Sequence, residues 1–114
     1  MEITVSHTTA GNIPIVAITG EVDVYSAPAL KDKVGELIGA GRHTLIVDLT
    51  NVAFLDSTGL GALVEARTAA ADGGGSLLLV CTQERIIKLF TITGLDGVFD
   101  IHPSVTAAVA ELRD

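Results

Sequence analysis

Apolar positions fall along this chain in short runs whose period changes repeatedly, and each change marks an element. Ile3 and Val5 alternate with Thr4 and Ser6, the spacing of a half-buried strand. Ala10-Gly11-Asn12 supplies turn chemistry before Ile13-Pro14-Ile15-Val16-Ala17-Ile18, so the first two runs predict an antiparallel strand pair. Pro14 cannot donate to a ladder, which puts its end of the second strand at an edge or a start. Gly20 is expected to end that strand, with Glu21-Val22-Asp23 as a loop.

The period then becomes helical. Ser26 is placed as an N-cap with Pro28 in the first turn; Leu30, Val34, Leu37 and Ile38 form one face, and Gly39 and Gly41 close the helix. Leu45-Ile46-Val47-Asp48-Leu49 reads as a strand covered on both sides. A helix after Ser57 carries Leu60, Leu63 and Val64, and Asp72-Gly73-Gly74-Gly75 ends it in a flexible loop. Leu77-Leu78-Leu79-Val80 is a further buried strand, and Glu84 to about Thr91 a helix with Ile86, Ile87, Leu89 and Phe90. Val98-Phe99-Asp100-Ile101 is a last short strand, and Ser104 caps a final helix with Val105, Ala108, Val109 and Leu112. The order ββαβαβαβα predicts an α/β fold: a mixed, mostly parallel sheet opened by an antiparallel pair, with four helices.

Composition narrows the function classes. A chain of 114 residues forms one domain over 1–114, and with three Phe, one Tyr and no Trp its core is aliphatic. A net charge of −7 opposes nucleic-acid binding, which needs a basic footprint. The lone Cys81, beside Leu78, Leu79 and Val80, reads as a buried inert thiol in a reducing compartment. Met1-Glu2-Ile3-Thr4-Val5 shows no signal-peptide pattern, and no apolar run approaches the ~20 residues of a membrane span. A cytoplasmic protein without a membrane partner is expected.

Candidate chemistry concentrates in Val47 to Gly61, where a strand leads through a short connection to Ser57 at the mouth of a helix. A hydroxyl there meets unpaired N–H groups and the positive end of a helix dipole, a setting that accepts a phosphate. Phosphorylation would add roughly −1.5 to −2 charges and three strong acceptors at one surface point. From the residues alone, Ser57 is equally a phosphoacceptor or a simple cap, and Asp56 equally a cap or a charge beside the acceptor. Thr58 is the neighbouring alternative acceptor. Gly59 and Gly61 either ease a tight strand-to-helix turn or let another backbone approach.

Gly20-Glu21-Val22-Asp23 together with Phe54-Leu55-Asp56-Ser57-Thr58-Gly59-Leu60-Gly61 resembles the STAS domain family, in particular the bacterial anti-sigma factor antagonists. The resemblance covers essentially the whole chain. It implies partner switching: the unmodified protein binds an anti-sigma factor that is also a serine kinase, which frees a sigma factor. The kinase then phosphorylates the serine matching Ser57, the complex parts, and a phosphatase restores the starting form. It implies partner contacts at Asp23, Ser26, Asp56, Thr58, Gly59, Leu60 and Gly61. Independently of the resemblance, the Asp23 and Asp56 carboxylates are expected to repel a phosphate on Ser57 and so raise the cost of the modified state at a closed interface.

Two other classes remain in view. A STAS accessory subunit of an anion or lipid transporter would use Ser57 only as a cap. A small serine hydrolase or nucleotidase has little behind it. Position 55 is Leu, so the Gly-x-Ser-x-Gly elbow is absent, and His7, His43 and His102 lie in strand-edge or loop contexts. No dinucleotide fingerprint, Walker lysine or metal spacing occurs, so no cofactor and no enzymatic activity are expected.

Overall fold

A computed structural model describes residues 3–112. Two strands, β1 (Ile3–Ala10) and β2 (Ile13–Val22), form the antiparallel hairpin. There follow α1 (Ala27–Gly39), β3 (Leu45–Leu55), α2 (Ser57–Asp72), β4 (Leu77–Val80), α3 (Glu84–Ile92), a 3-10 turn at Leu95–Gly97, β5 (Asp100–His102) and α4 (Val105–Leu112). The sheet order β1-β2-β3-β4-β5 follows the chain, with every pair after the first parallel. Right-handed crossovers that always step the same way leave their helices on one face. That face carries α1, α2 and α3 over Val16, Val47, Leu49 and Leu79, with Phe90 of α3 packed among them. Among the described residues, α4 alone of the helices covers the other, over Ile15, Ile46, Leu78 and Val80. The predicted order and fold class hold, and the exposure expected of His7 lies outside the described residues.

Four local expectations change. First, β2 runs on through Glu21 to Val22, because Gly20 (φ 110°) sits at a register shift inside the strand. Second, β3 continues to Leu55. Its partners skip from Ala17↔Asp48 to Thr19↔Asn51, and from Gly20↔Val52 to Glu21↔Phe54, so β3 holds an extra residue at each step. Two bulges turn Leu49, Val52 and Leu55 all inward, at a spacing of three that matches neither strand nor helix period. The Asp48 carboxylate supports the first bulge by accepting the Thr50 N–H at 3.0 Å.

The third change is at the glycine run, which is a packed turn. Gly74 adopts φ 83°, and the N–H groups of Gly74 and Gly75 donate back to Ala71 and Ala70 at 2.9 Å, closing α2 in a Schellman motif. A side chain at Gly73 or Gly75 would fall on His43. Finally, β5 starts at Asp100, because Phe99 leaves the sheet to meet Phe90 edge-to-face at 5.6 Å.

The extension of β3 creates a problem that side chains solve. β4 pairs only with Leu45 to Asp48, so later β3 carbonyls face no strand on that side. The Gln83 amide fills the gap: Nε2 donates to Val52 O at 2.6 Å and Thr50 O at 3.0 Å, with Leu49 O at 3.4 Å. Arg85 Nη2 donates to Ala53 O at 2.9 Å. Gln83→Glu keeps the shape but turns donors into acceptors against two carbonyls. Loss of these bonds is expected to cost about 1–3 kcal/mol, read as a lower urea midpoint at unchanged slope.

Candidate functional site

The C-terminal ends of β2 and β3 lie side by side, paired Glu21↔Phe54 and Val22↔Leu55, and each strand feeds a helix. The Asp56 N–H donates to Val22 O at 3.3 Å, tying the start of α2 to the end of β2. Asp56 is the N-cap: its backbone is extended and its carboxylate accepts the Gly59 N–H at 3.0 Å. Such a cap is worth about 1 kcal/mol.

With the cap supplied by Asp56, Ser57 becomes the first helical residue rather than the cap. Its side chain is exposed, as is that of Thr58. Both sit in the first turn of a 16-residue helix, where N–H groups lack intrahelical acceptors and the dipole favours negative charge. Access by a second protein is unobstructed at Ser57.

Gly59 faces inward. A Cβ there would lie 2.5 Å from Leu55 Cδ1 and 2.9 Å from both Val22 Cγ1 and Val22 O. Its missing side chain is what lets α2 sit against the end of β2. Leu60 is also buried, whereas Gly61 is exposed with open space around it. Of the two glycines, only Gly61 offers its bare backbone to the outside.

The turn after β2 departs furthest from expectation. Ser26 occupies the N-cap position of α1 but makes no side-chain cap bond. Its hydroxyl points back, accepting the Asp23 N–H at 2.9 Å and lying 2.6 Å from Glu21 O and 3.1 Å from Asp23 Oδ1. One hydroxyl proton serves both acceptors, and the nearer carbonyl takes it. Asp23 Oδ1 accepts the N–H groups of Tyr25 and Ser26, each at 3.0 Å. Burial pushes the Asp23 carboxyl up, but the Ser26 and Tyr25 hydrogen bonds outweigh it and hold the group below the ordinary carboxylate range. Asp23 and Ser26, only 8% and 6% exposed, are internal to the turn, so neither presents its side chain at the surface expected of it.

Sequence reasoning missed what this turn displays. Val24 is 58% exposed and Tyr25 89%, and on the neighbouring strand Phe54 is 45% exposed. Gln83 and Arg85, which secure the β3 segment leading to Ser57, also went unnoticed, because one Gln and one Arg at the head of a helix carry no pattern. Cys81 is buried, and that burial raises its thiol pKa, as an inert thiol requires. Among the described residues no three His, Cys, Asp or Glu cluster as a metal site, and no helix is long and apolar enough to cross a membrane.

A family model described as the STAS domain matches residues 4–108. An anti-sigma-B factor antagonist of Bacillus subtilis is 46% identical over 86 residues, covering 75% of this chain and 78% of its own. One of Staphylococcus epidermidis is 33% identical over 102 residues, covering 90% and 94%. The crystal structure of an anti-sigma factor antagonist from Mycobacterium paratuberculosis superposes with a TM-score of 0.91 at 28% identity, covering 99% and 96%. With the fold in agreement, the family model matched over residues 4–108 and relatives more than 30% identical over up to 90% of the chain, this protein belongs to the STAS domain family.

Proposed function

We propose that this protein is an anti-sigma factor antagonist, a binding module whose unmodified form captures a kinase-type anti-sigma factor and so releases a sigma factor. Phosphorylation of Ser57 ends the capture, and a phosphatase reverses it. The observation that carries this reading is the exposed Ser57 hydroxyl at the first position of α2, already relieved of capping duty by Asp56. A structural cap would be the serine itself. Here the serine is spare.

Phosphate transfer depends largely on positioning the hydroxyl in line with the γ-phosphate. Asp56, Gly59 and the Gln83 clamp fix that hydroxyl from behind and leave its front open. Asp56, Thr58 and Gly61 border it, while Gly59 and Leu60 support it from within. In the closed complex a phosphate on Ser57 would sit beside the Asp56 carboxylate with no water to screen it, which favours separation.

Mixing the protein with its kinase-type anti-sigma factor tests this reading. On size-exclusion chromatography the pair should coelute with ADP and separate after incubation with ATP. A complex that survives full phosphorylation would contradict it.

A further inference from the structure

Ser57 is held in the first turn of a helix, so it cannot thread into a kinase cleft as an extended peptide. A kinase that modifies it must recognise the folded surface around it. Recognition therefore depends on fixed side chains near Ser57 with enough area to bind, and the apolar ones at this end of the sheet are Val24, Tyr25 and Phe54.

Resting on the function proposed above, we propose that Tyr25 is the side chain by which the kinase recognises this protein, and that Asp23 and Ser26 are positioning residues that hold Tyr25 out to it. Tyr25 is the only tyrosine in the chain and is almost wholly in water. Nothing in its own fold gains from that placement. Yet the turn beneath it is fixed by buried and part-buried bonds: Asp23 Oδ1 holds the N–H of Tyr25 itself, and Ser26 Oγ links the Asp23 N–H to the Glu21 carbonyl. A rigid aromatic with two side-chain torsions loses little freedom on binding, and a pre-set turn lowers that cost further. Tyrosine is also among the residues most often found as interface anchors. The occupant is the kinase itself, because this tip and Ser57 leave adjacent paired strands, and a protein seated on one covers the other.

The test is steady-state phosphorylation of Ser57 by the kinase-type anti-sigma factor with ATP, alongside thermal melts. Tyr25→Ala is expected to raise KM for this protein about thirtyfold with kcat within about twofold and an unchanged melting temperature. Tyr25→Phe should restore KM if the ring is what binds. Asp23→Ala should raise KM about tenfold, and the double variant Asp23→Ala/Tyr25→Ala should be no worse than Tyr25→Ala alone, because the carboxylate acts through the ring. Should Asp23→Ala not fold, Ser26→Ala replaces it in the cycle. An unchanged KM for Tyr25→Ala, with Ser57 still phosphorylated, overturns the proposal and leaves the switch intact. Independent, multiplying effects of Asp23 and Tyr25 overturn the positioning role. If wild-type Ser57 accepts no phosphate, the switch itself fails, and this proposal with it.

Discussion

Ser57→Asp is expected to weaken capture of the kinase-type anti-sigma factor by at least about thirtyfold, while making the isolated protein slightly more stable. The two effects have opposite signs for one physical reason. Alone, the protein presents the new charge to water and to the unpaired N–H groups of the first turn of α2, where a carboxylate contributes about 0.3–1 kcal/mol. In the complex the same charge is stripped of water next to Asp56, and an unpaired charge buried at an interface costs about 2–5 kcal/mol. A thermal melt reads the first number and calorimetric titration the second. Ser57→Ala should bind like the wild type and accept no phosphate, since the hydroxyl has no role in capping α2. A parallel fall of stability and binding in Ser57→Asp would mean that the substitution had merely damaged the fold.

Gly59→Ala should cost about 1–3 kcal/mol of stability, against the usual gain of about 1 kcal/mol when alanine replaces glycine in a helix. The added methyl meets Leu55 Cδ1 at 2.5 Å and the Val22 carbonyl at 2.9 Å. Leu55 has other rotamers, but the carbonyl is backbone and already accepts the Asp56 N–H. Relief comes only by lifting the first turn of α2, which moves Ser57, so phosphorylation should fall together with stability. Gly61→Ala provides the contrast, because open space surrounds it and the fold should tolerate or welcome a methyl. Any loss of binding in Gly61→Ala then reports a partner's approach. A tolerated Gly59→Ala, melting with the wild type, would contradict the packing described.

How much of this could be read from the residues differs by level. The alternation of apolar runs and glycine stops defined the element order, because burial on a regular strand or helix imposes a period. It failed where the period itself is broken. Leu49, Val52 and Leu55 all face the core at intervals of three only because β3 carries two bulges, and no local residue preference announces a bulge. The position of Ser57 was legible through its motif, but its exact duty was not. Asp56 and Ser57 are both good caps, and the choice between them rests on where the extended backbone turns helical, which is at Ser57.

At Asp23 and Ser26 the residue types are legible in the sequence and the direction of their side chains is not. Short polar side chains bond outward or back to their own turn with similar ease, and here the part-buried carbonyl of Glu21 settles the matter for Ser26. The Gln83 clamp was invisible for a different reason. It answers a vacancy created by the unequal lengths of β3 and β4, a property of the assembled sheet and of no single segment.

The most direct measurement is site mapping by mass spectrometry after incubation with the kinase-type anti-sigma factor and ATP. One phosphate per chain, on the fragment containing Ser57 and absent from Ser57→Ala, is the predicted result. Phosphate on Thr58 or elsewhere, with Ser57 unmodified while the complex still parts, would contradict the switch assigned to this hydroxyl.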